Sequence, residues 1–548
     1  MKLYQKISNT NLIRFCVLGV FSLGLLTSCD KNSNTGDAAD SGAAASLSIQ
    51  VEGIENEIGN DPKAIKASNS RNSSQLASGV LEEKDVSYKE FDAIVRLQED
   101  QVAGDRTVSN NQVAKGTAGK SATKALAMAP GIKYRLLLYK EGKFVTSVHA
   151  QSGVASHVEV VKGEEYTWYA YSYNTADNIP DVANPAAPVI ESAVDKPLLY
   201  ASGTVTVTGA GNVDKPLLVR FAHRTSKIGA ELSVRGMFAG LESITANFAG
   251  TDYIQKGTLN VLTGQYESMS AVDVGNLVFT NYSVKTKDTI KVASYYTAAQ
   301  TPIPAMTVNV QSFTIKLDKV YNGVGNRTFS TPFQFSMDLP DMTWGHRLTS
   351  AMDLIESAVT VNGIRWSRAN LYFSEADRAY RFRHQIEPIY GRVSEEYWNF
   401  KAPFPGGTIG AQDPCTRVYP LGKWKMPNRD ETSRLISQDQ DGVNRQLTGD
   451  YVEYVATGTA APYPSNKMRV NKMGYFHVIG GIFGVNEDGS NGYFWTSETG
   501  FLGGALTGVY TYRVSDDRKN GIFGGDYVWE HVAASSWGGT LNTRCIRK

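Results

Sequence analysis

The chain has few of the residues on which metal and catalytic sites depend. Its 548 residues include four cysteines and seven histidines, and no cysteine spacing is typical of zinc or iron–sulfur ligation. An HExxH motif, a P-loop and a Ser–His–Asp spacing are all absent from the sequence. We therefore predict a protein that is not an enzyme and that has no cofactor, no metal site and no catalytic residue.

An excess of charge of one sign is also missing. The 55 Lys and Arg residues nearly balance the 54 Asp and Glu residues, which leaves a net charge of +1 at pH 7. Because this charge is so small, the sequence indicates neither a nucleic-acid partner nor an acidic one. Helical periodicity is scarce as well, whereas the 51 glycines and 28 tyrosines are typical of strands joined by turns. The composition favours a mainly β protein, and the length favours about two to four domains.

An export segment is predicted at the N-terminus. An apolar core of about a dozen residues, 15–26, follows a basic start and is too short to span a bilayer. It leads into Leu-Thr-Ser-Cys, which resembles a lipobox, in which the cysteine is lipidated and becomes the mature N-terminus. We predict a signal peptide over 1–28, lipidation of Cys29, and a flexible polar tether over 29–45. The alternative is a cleavable signal peptide that ends by chance at a cysteine.

Three short strands are predicted in residues 133–180. Residues 134–139 (YRLLLY) and 144–148 (FVTSV) are apolar runs separated by Lys-Glu-Gly-Lys, which is a hairpin pattern. Residues 166–173 (YTWYAYSY) form the next strand, with tyrosine, tryptophan or alanine at nearly every position. Because apolar and polar residues do not alternate there, we expect this strand to be covered on both faces.

The order of these motifs resembles the N-terminal domain of the fimbrillin-type pilus subunits of Bacteroidales. In that family a KYRLLLY…G.FV hairpin precedes a G.tYtwyAYSyNt strand, and both are present here in the same order. Residues 217–228 (LLVRFAHRTSKI) resemble a later strand of the same family. The resemblance implies two transthyretin-like β-sandwich domains, over 46–214 and 215–350. From the strand pattern alone, the alternative is a generic secreted β-sandwich.

A single strand is predicted ahead of a long polar segment. Residues 46–54 (SLSIQVEGI) alternate apolar and polar side chains, as a half-buried strand does, and residues 55–80 are polar. In the resembled family an arginine-specific protease cuts in such a segment, the first strand leaves, and a strand of another subunit fills the groove by β-strand addition. The resemblance therefore implies cleavage after Arg71, with Arg106 as the second choice. The alternative is that Arg71 is an ordinary solvated residue.

The composition changes near residue 350, where a C-terminal module is predicted. Six of the eight tryptophans lie beyond it. Four motifs occur there in order: GIRWSRANL at 363–371, CTRVYPLGKWKMPNRDE at 415–431, GYFWTSE at 492–498 and TRCIR at 543–547. Their order resembles the major paralogous domain of Fibrobacter, which is related to C-type lectin-like folds, and it implies an α+β lectin-like module over 351–548. Lys425 and Asn428 depart from that domain's usual Arg and Thr, and Asn428 is predicted to cap a helix.

The cysteines indicate one disulfide. Cys16 is removed with the signal peptide and Cys29 is lipidated, which leaves Cys415 and Cys545 in an oxidising compartment. We predict a disulfide between these two, closing a loop of about 130 residues. The alternative is two unpaired thiols.

Other candidate ligand sites have plainer interpretations. His223 invites a metal-binding or catalytic role, but no second ligand lies nearby in sequence, and we predict a structural histidine. Residues 439–442 and 486–492 are acidic and turn-like but lack EF-hand spacing, so we predict hairpin turns rather than calcium sites. Tryptophan and tyrosine of the C-terminal module could stack on sugar rings, although most are expected in its core.

These interpretations lead to one functional hypothesis. The last strand lies inside the predicted module, next to Cys545, and is not free to leave for a neighbouring subunit. A subunit that accepts a strand without donating one lies at the end of a polymer, as in the accessory tip subunits of the major fimbriae of Porphyromonas gingivalis, which the sequence resembles. We expect a fimbrial protein, lipid-anchored in the outer membrane as a precursor, with shaft and tip subunits as partners and an adhesive or docking module for a surface ligand such as a glycan. The alternative is a monomeric surface lipoprotein that binds glycan or protein and never polymerises.

Overall fold

The structure is a computed structural model, and strands dominate it. The single α-helix among the described residues, α1, spans Arg429–Ser437. A helix with the length and apolar character of a membrane span is not found in the described part of the chain. The prediction of a mainly β protein is confirmed. The described residues are 43–55, 79–99, 125–209, 213–282, 288–321, 324–375, 378–382, 394–437, 445–447, 451–454, 456–457, 468–479, 482–488, 491–499, 509–515, 527–531 and 540–548.

Ten strands of the described residues lie before residue 224, and seven of them build the first sandwich. The ten are β1 (Ala44–Ile54), β2 (Val80–Ser87), β3 (Asp92–Glu99), β4 (Lys133–Lys140), β5 (Lys143–Gln151), β6 (Ser156–Val161), β7 (Glu165–Ser172), β8 (Val189–Glu191), β9 (Leu199–Thr206) and β10 (Asp214–His223). Seven of them form one sheet in the order β5-β4-β7-β9-β10-β1-β6. Since β9 and β10 pair at two positions, the sheet divides there into two layers, and side chains from both layers share one core.

The predicted hairpin is confirmed as β4 and β5. The two strands pair along their whole length around a turn in which Glu141 and Gly142 have φ of 48° and 73°. Two successive positive φ values match a tight turn that suits twisted strands. The neighbouring strand β7 is covered on both faces, as predicted, because Trp168 lies in the core between the layers and Tyr171 lies in a second apolar cluster.

Ten further strands, up to residue 355, complete the second sandwich. They are β11 (Ser226–Gly236), β12 (Gly240–Phe248), β13 (Gln255–Asn260), β14 (Gln265–Ala271), β15 (Thr280–Asn281), β16 (Ile290–Thr297), β17 (Ile303–Tyr321), β18 (Val324–Phe329), β19 (Phe333–Leu339) and β20 (Arg347–Ile355). One sheet has the order β15-β16-β11-β20-β3-β2, and the other has the order β12-β17-β18 with β19 also paired to β17. A single large apolar core is built from both sheets.

β2 and β3 lie in the second sandwich and not in the first. β3 pairs with β20 along its whole length, and Ala93, Val95 and Leu97 are buried in the second core. The sequence-based boundary of 46–214 instead grouped these strands with the first domain. The difference arises because alternating apolar residues show that a strand is half-buried but do not show which core it enters.

A small sheet and an aromatic cluster join the two sandwiches. β8 pairs with β13 of the second sandwich, in a sheet of order β14-β13-β8. Between β10 and β11, the Arg224 guanidinium lies 4.8 Å from the ring centre of Tyr200 and 5.3 Å from that of Trp344. Its Nε donates to the Gly264 carbonyl at 3.1 Å. Because these partners come from both sandwiches, the junction is packed rather than open.

The remaining strands form the C-terminal module together with α1. They are β21 (Val359–Val361), β22 (Ile364–Trp366), β23 (Leu371–Ser374), β24 (Ala379–Phe382), β25 (Trp424–Lys425), β26 (Arg445–Leu447), β27 (Tyr451–Tyr454), β28 (Met468–Asn471), β29 (Met473–Ile479), β30 (Ile482–Asp488), β31 (Asn491–Thr499), β32 (Val509–Ser515), β33 (Tyr527–His531) and β34 (Ile546–Arg547). Their sheets have the orders β21-β22-β34-β25, β23-β24, β26-β27-β28 and β30-β29-β31-β32-β33.

Two predictions for this module are confirmed. Four of its tryptophans are at most 1% exposed and belong to the core: Trp366, Trp398, Trp424 and Trp495. The helix α1 begins after Asn428, whose Oδ1 accepts from the Glu431 backbone N–H at 2.8 Å while Glu431 Oε2 accepts from the Asn428 N–H at 2.8 Å. This reciprocal pair satisfies two backbone donors that a helix start leaves open.

Candidate strand-exchange site

The predicted first strand, β1, is the middle strand of the layer β10-β1-β6. On one side it runs parallel to β10 from Ser46 to Ile54. On the other side it runs antiparallel to β6 from Ala44 to Ile49. Backbone hydrogen bonds therefore hold β1 along both of its edges.

One face of β1 supplies its apolar contacts. Ala45, Leu47 and Ile49 enter the first core and are 7%, 1% and 0% exposed, and Val51 and Ile54 pack at the edge of the same core. Full burial of a leucine or isoleucine side chain is worth about 1.5–3 kcal/mol. Leu47 and Ile49 therefore contribute the largest share of the apolar anchoring of β1.

The other face of β1 is polar and contacts β10 at both ends. Ser46 Oγ donates to Asp214 Oδ1 at 2.5 Å, and His157 Nδ1 of β6 lies 3.5 Å from the same oxygen. Toward the other end, Arg220 donates to the two carboxylate oxygens of Glu52 at 2.6 and 3.2 Å. The hydrogen bond from Arg220 holds the pKa of the Glu52 carboxyl below its ordinary value. Side chains of opposite charge on β10 therefore face the two ends of β1.

Gly53 lets the end of β1 approach the segment that precedes β4. Its φ is 152°, and a Cβ at this position would lie 2.4 Å from the Leu126 carbonyl oxygen. The next residue, Ile54, exchanges two backbone hydrogen bonds with Leu126, at 2.7 and 2.8 Å. A side chain at position 53 would break this contact, so the end of β1 has a defined place.

The neighbours of β1 depend on it. Among the described strands β6 has β1 as its one partner in the sheet, and β10 has a further two pairs with β9. Removing β1 leaves unpaired N–H and C=O groups on both sides of a slot one strand wide and uncovers the first core. Because unpaired strand edges bind other strands, the slot favours a replacement strand.

Three predicted sites, Cys29, Arg71 and Arg106, lie outside the described residues. The strands that flank Arg71 are described: β1 ends at Ile54 in the first sandwich, and β2 begins at Val80 in the second. The segment that holds Arg71 therefore joins the two sandwiches. Arg106 follows β3, which is already part of the second sandwich.

Cys415 and Cys545 are joined by a disulfide in the structure, with 5.7 Å between their Cα atoms. Both residues are fully buried. β34 follows directly and pairs with β22 on one side and β25 on the other, and the Lys548 N–H donates to the Lys423 carbonyl at 3.0 Å. Residues 540–548 are therefore held within the C-terminal module.

The C-terminal module sits on the outer face of β2, β3 and β20. Asp353 of β20 pairs with Arg96 of β3 and accepts from the Tyr419 hydroxyl of the module at 2.8 Å. Lys423 Nζ lies 3.1 Å from a carboxylate oxygen of Glu83 on β2. These contacts cover the outer face of β2, β3 and β20 at these residues, whereas the outer face of β1 is exposed at Gln50 and Glu52 and buried at Ser48.

Sequence reasoning missed the charged residues of β10. Asp214 and Arg220 alternate with the buried Leu217, Val219 and Phe221, a pattern that places charges on the outer face of a strand. That they face β1 depends on the parallel pairing of two strands whose contacting residues, such as Ser46, lie 168 positions apart. No local pattern encodes such a pairing.

Other candidate sites do not bring ligands together. In the described residues no group of three or more His, Cys, Asp or Glu side chains is placed to hold a metal ion. His223 is 8% exposed at the end of β10, while residues 439–442 lie outside the described residues. Residues 486–492 link β30 to β31, which lie on either side of β29. The predicted hairpin turn is wrong there, because the strands that it links are not paired neighbours.

Known structures resemble this chain at a distance. No family model and no curated protein sequence matches it. It is similar to a candidate cell adhesion protein from Bacteroides fragilis NCTC 9343, with 13% identity, a TM-score of 0.29 and coverage of 63% of this chain and 100% of that one. A candidate cell adhesion protein from Bacteroides uniformis ATCC 8492 gives 12% identity, a TM-score of 0.27 and coverage of 40% and 90%. The fimbrial anchor protein Mfa2 from Porphyromonas gingivalis gives 13% identity, a TM-score of 0.19 and coverage of 33% and 69%. Similarity at this distance assigns no function.

Proposed function

We propose that this protein is a subunit of a cell-surface fimbrium and is incorporated by exchanging β1 for a strand of another subunit. The observation that carries the proposal is the position of β1: it is the middle strand of its layer, yet residues 55–79 separate it from the next strand of its own chain. Its outer face is open to solvent at Gln50 and Glu52. A strand so placed can leave without displacing another layer, and the slot that it leaves favours refilling.

Cleavage after Arg71 fits this geometry better than cleavage after Arg106. Arg71 is the only arginine between β1 and β2, so a cut there separates β1 alone. A cut after Arg106 leaves β1 covalently joined to β3, which lies between β20 and β2 with Val95 fully buried. Releasing β1 together with β3 would dismantle the second sandwich. We therefore propose Arg71 as the processing site.

The same geometry supports a terminal position in the polymer. Residues 540–548 are held in the C-terminal module by β34 and by the disulfide of Cys415 and Cys545, so this segment does not serve as a donor strand. The subunit that we propose accepts a strand and presents the C-terminal module as an adhesive or docking head for a surface ligand. Its precursor is anchored in the outer membrane by a lipid on Cys29, and its partners are the shaft pilin and other tip subunits.

The mature N-terminus tests the proposal. In protein isolated with fimbriae from its native cell surface, we expect the chain to start at Asn72. The Arg71→Ala variant should be exported but not incorporated, whereas the matched Arg106→Ala variant should be incorporated normally. Assembled protein that still begins at an acylated Cys29 would overturn strand exchange, and a membrane-tethered binding protein that retains β1 would take its place.

A further inference from the structure

We infer that Asp214 and Arg220 select which strand enters the slot left by β1 (the β1 slot) and in which direction that strand runs. The inference rests on the proposed function and adds the chemistry of the partner to it. Both residues lie on β10 and contact the outer face of β1 through side chains. Backbone hydrogen bonds along the slot accept any extended segment, so selection among segments depends on side chains.

The slot has a row of apolar pockets, its seats, which select the register of the incoming strand rather than its sequence. In the structure they hold Ala45, Leu47, Ile49 and Val51, which are alternate residues of β1. Any strand that alternates polar residues with small or branched apolar ones fits such seats. A slip by one residue would turn the apolar side chains toward solvent, so the seats fix the register of the incoming strand. They do not distinguish one alternating strand from another.

The charged residues of β10 do distinguish one alternating strand from another. Asp214 accepts from Ser46 Oγ at 2.5 Å, and Arg220 binds the Glu52 carboxylate through two hydrogen bonds at 2.6 and 3.2 Å. The two positions on β1 are six residues apart, which is about 20 Å along a strand. A two-point contact between arginine and carboxylate has defined geometry as well as charge. The slot therefore presents an acceptor near one end and a carboxylate-binding group near the other.

This arrangement distinguishes direction as well as sequence. A donor that runs parallel to β10, as β1 does, matches both ends when it carries a hydroxyl or basic side chain and, six residues later, a carboxylate. The same donor reversed would place its carboxylate against Asp214 and would leave Arg220 facing a hydroxyl. Like charges opposite each other on neighbouring strands are destabilising. The partner that we infer is an extended segment of another protein chain with a hydroxyl or basic residue, alternating apolar residues, and a carboxylate six positions after the first.

Peptide exchange on the full chain tests the inference. A recognition site for a sequence-specific protease is placed after Arg71, the chain is cut, and fluorescent copies of residues 44–54 are added while anisotropy reports their entry. We expect a peptide carrying Glu52→Lys to bind about threefold to tenfold more weakly than the native peptide, because a modest exposed pair is replaced by repulsion. In protein carrying Arg220→Glu the preference should reverse, and added salt should reduce it.

Two control peptides define what the assay measures. A Gln50→Lys peptide adds a positive charge to the same outer face, where Gln50 is exposed and pairs with Leu218 of β10; it keeps the Glu52 carboxylate that Arg220 binds and should bind like the native peptide. An Ile49→Asp peptide places a carboxylate in a fully buried seat and should not enter.

The outcomes separate the inference from the proposed function. If no peptide enters the cut protein, the native one included, strand exchange fails and the inference fails with it. If the native peptide enters, the Glu52→Lys peptide enters equally well, and Arg220→Glu reverses nothing, then strand exchange stands and the inference is overturned.

Discussion

β1 and β20 occupy corresponding positions in the two sandwiches. β1 runs parallel to β10 and antiparallel to β6. β20 runs parallel to β11 and antiparallel to β3. Since β10 and β11 follow each other directly in the chain, the two sandwiches share one local topology, in which each of these strands is held between a parallel and an antiparallel neighbour.

The two strands differ in their outer faces. β1 faces solvent at Gln50 and Glu52, while Ser48 on the same face is 6% exposed. The outer face of β20 is buried, because Thr349, Ala351 and Asp353 are 1%, 3% and 6% exposed, and Asp353 accepts from Tyr419 of the C-terminal module. A strand that is covered on one face can be replaced without displacing other elements, whereas a strand that is covered on both faces is fixed. The shared topology therefore offers two slots, and burial leaves one of them exchangeable.

The largest expected effect comes from placing a carboxylate on the buried face of each strand. This pair of substitutions tests the comparison of β1 with β20. Met352 of β20 and Ile49 of β1 are both 0% exposed, and an unpaired charge at such a position is strongly destabilising. We expect Met352→Asp to destabilise the second sandwich and the C-terminal module by more than about 4 kcal/mol. Ile49→Asp should instead loosen β1 together with β6 and β10.

Hydrogen exchange followed by mass spectrometry distinguishes the two variants. Faster exchange in β3, β11 and the C-terminal module is expected for Met352→Asp, and faster exchange in β6 and β10 is expected for Ile49→Asp. The same exchange pattern in both variants would remove the distinction between a fixed and an exchangeable strand.

Removal of one charge from each outer face is expected to have a smaller effect. Asp353 is buried between Arg96 and Tyr419, and neutralising it takes away one of the two carboxylates that pair with Arg96, the other being Glu83. We expect Asp353→Asn to lower the free energy of unfolding by about 2–4 kcal/mol. Glu52→Gln is the matched control and should leave the free energy of unfolding unchanged, because its pair with Arg220 is exposed. Urea titration of both variants checks the difference, and equal losses would mean that the C-terminal module adds nothing to the fixing of β20.

Local patterns in the sequence predict elements but not their partners. The alternation in 46–54 predicts β1, and Asn428 predicts the start of α1, because each signal lies within a few residues of what it specifies. The assignment of β2 and β3 to the second sandwich escapes such reasoning, since their apolar faces would fit either core. Asp214 and Arg220 were missed for the same reason: their contact with β1 joins residues 168 positions apart. What a strand faces is decided by tertiary packing, and it is there that the candidate site is built.

The smallest expected effect concerns the first residues of β20 and β1, each of which lies beside a histidine. β20 begins beside His346, a buried residue whose Nδ1 lies 2.9 Å from Glu99 and whose Nε2 lies 3.5 Å from Asp341. β1 begins beside the exposed His157, 3.5 Å from Asp214. The hydrogen bond to the Glu99 carboxylate raises the pKa of His346 above its ordinary value of 6.5.

The raised pKa of His346 makes the packing at the start of β20 sensitive to pH. Because the folded protein holds this proton more tightly than the unfolded chain, the stabilisation is fully present below about pH 6.5 and is lost as the pH rises through the raised pKa. We expect the free energy of unfolding to fall from this source as the pH rises from about 6.5 through the raised pKa, and urea titrations at a series of pH values measure it. His346→Gln should remove the dependence, and His157→Gln should leave it in place. A pH dependence that survives in His346→Gln would show that the start of β20 is held without this proton, and the two strand starts would then differ in burial alone.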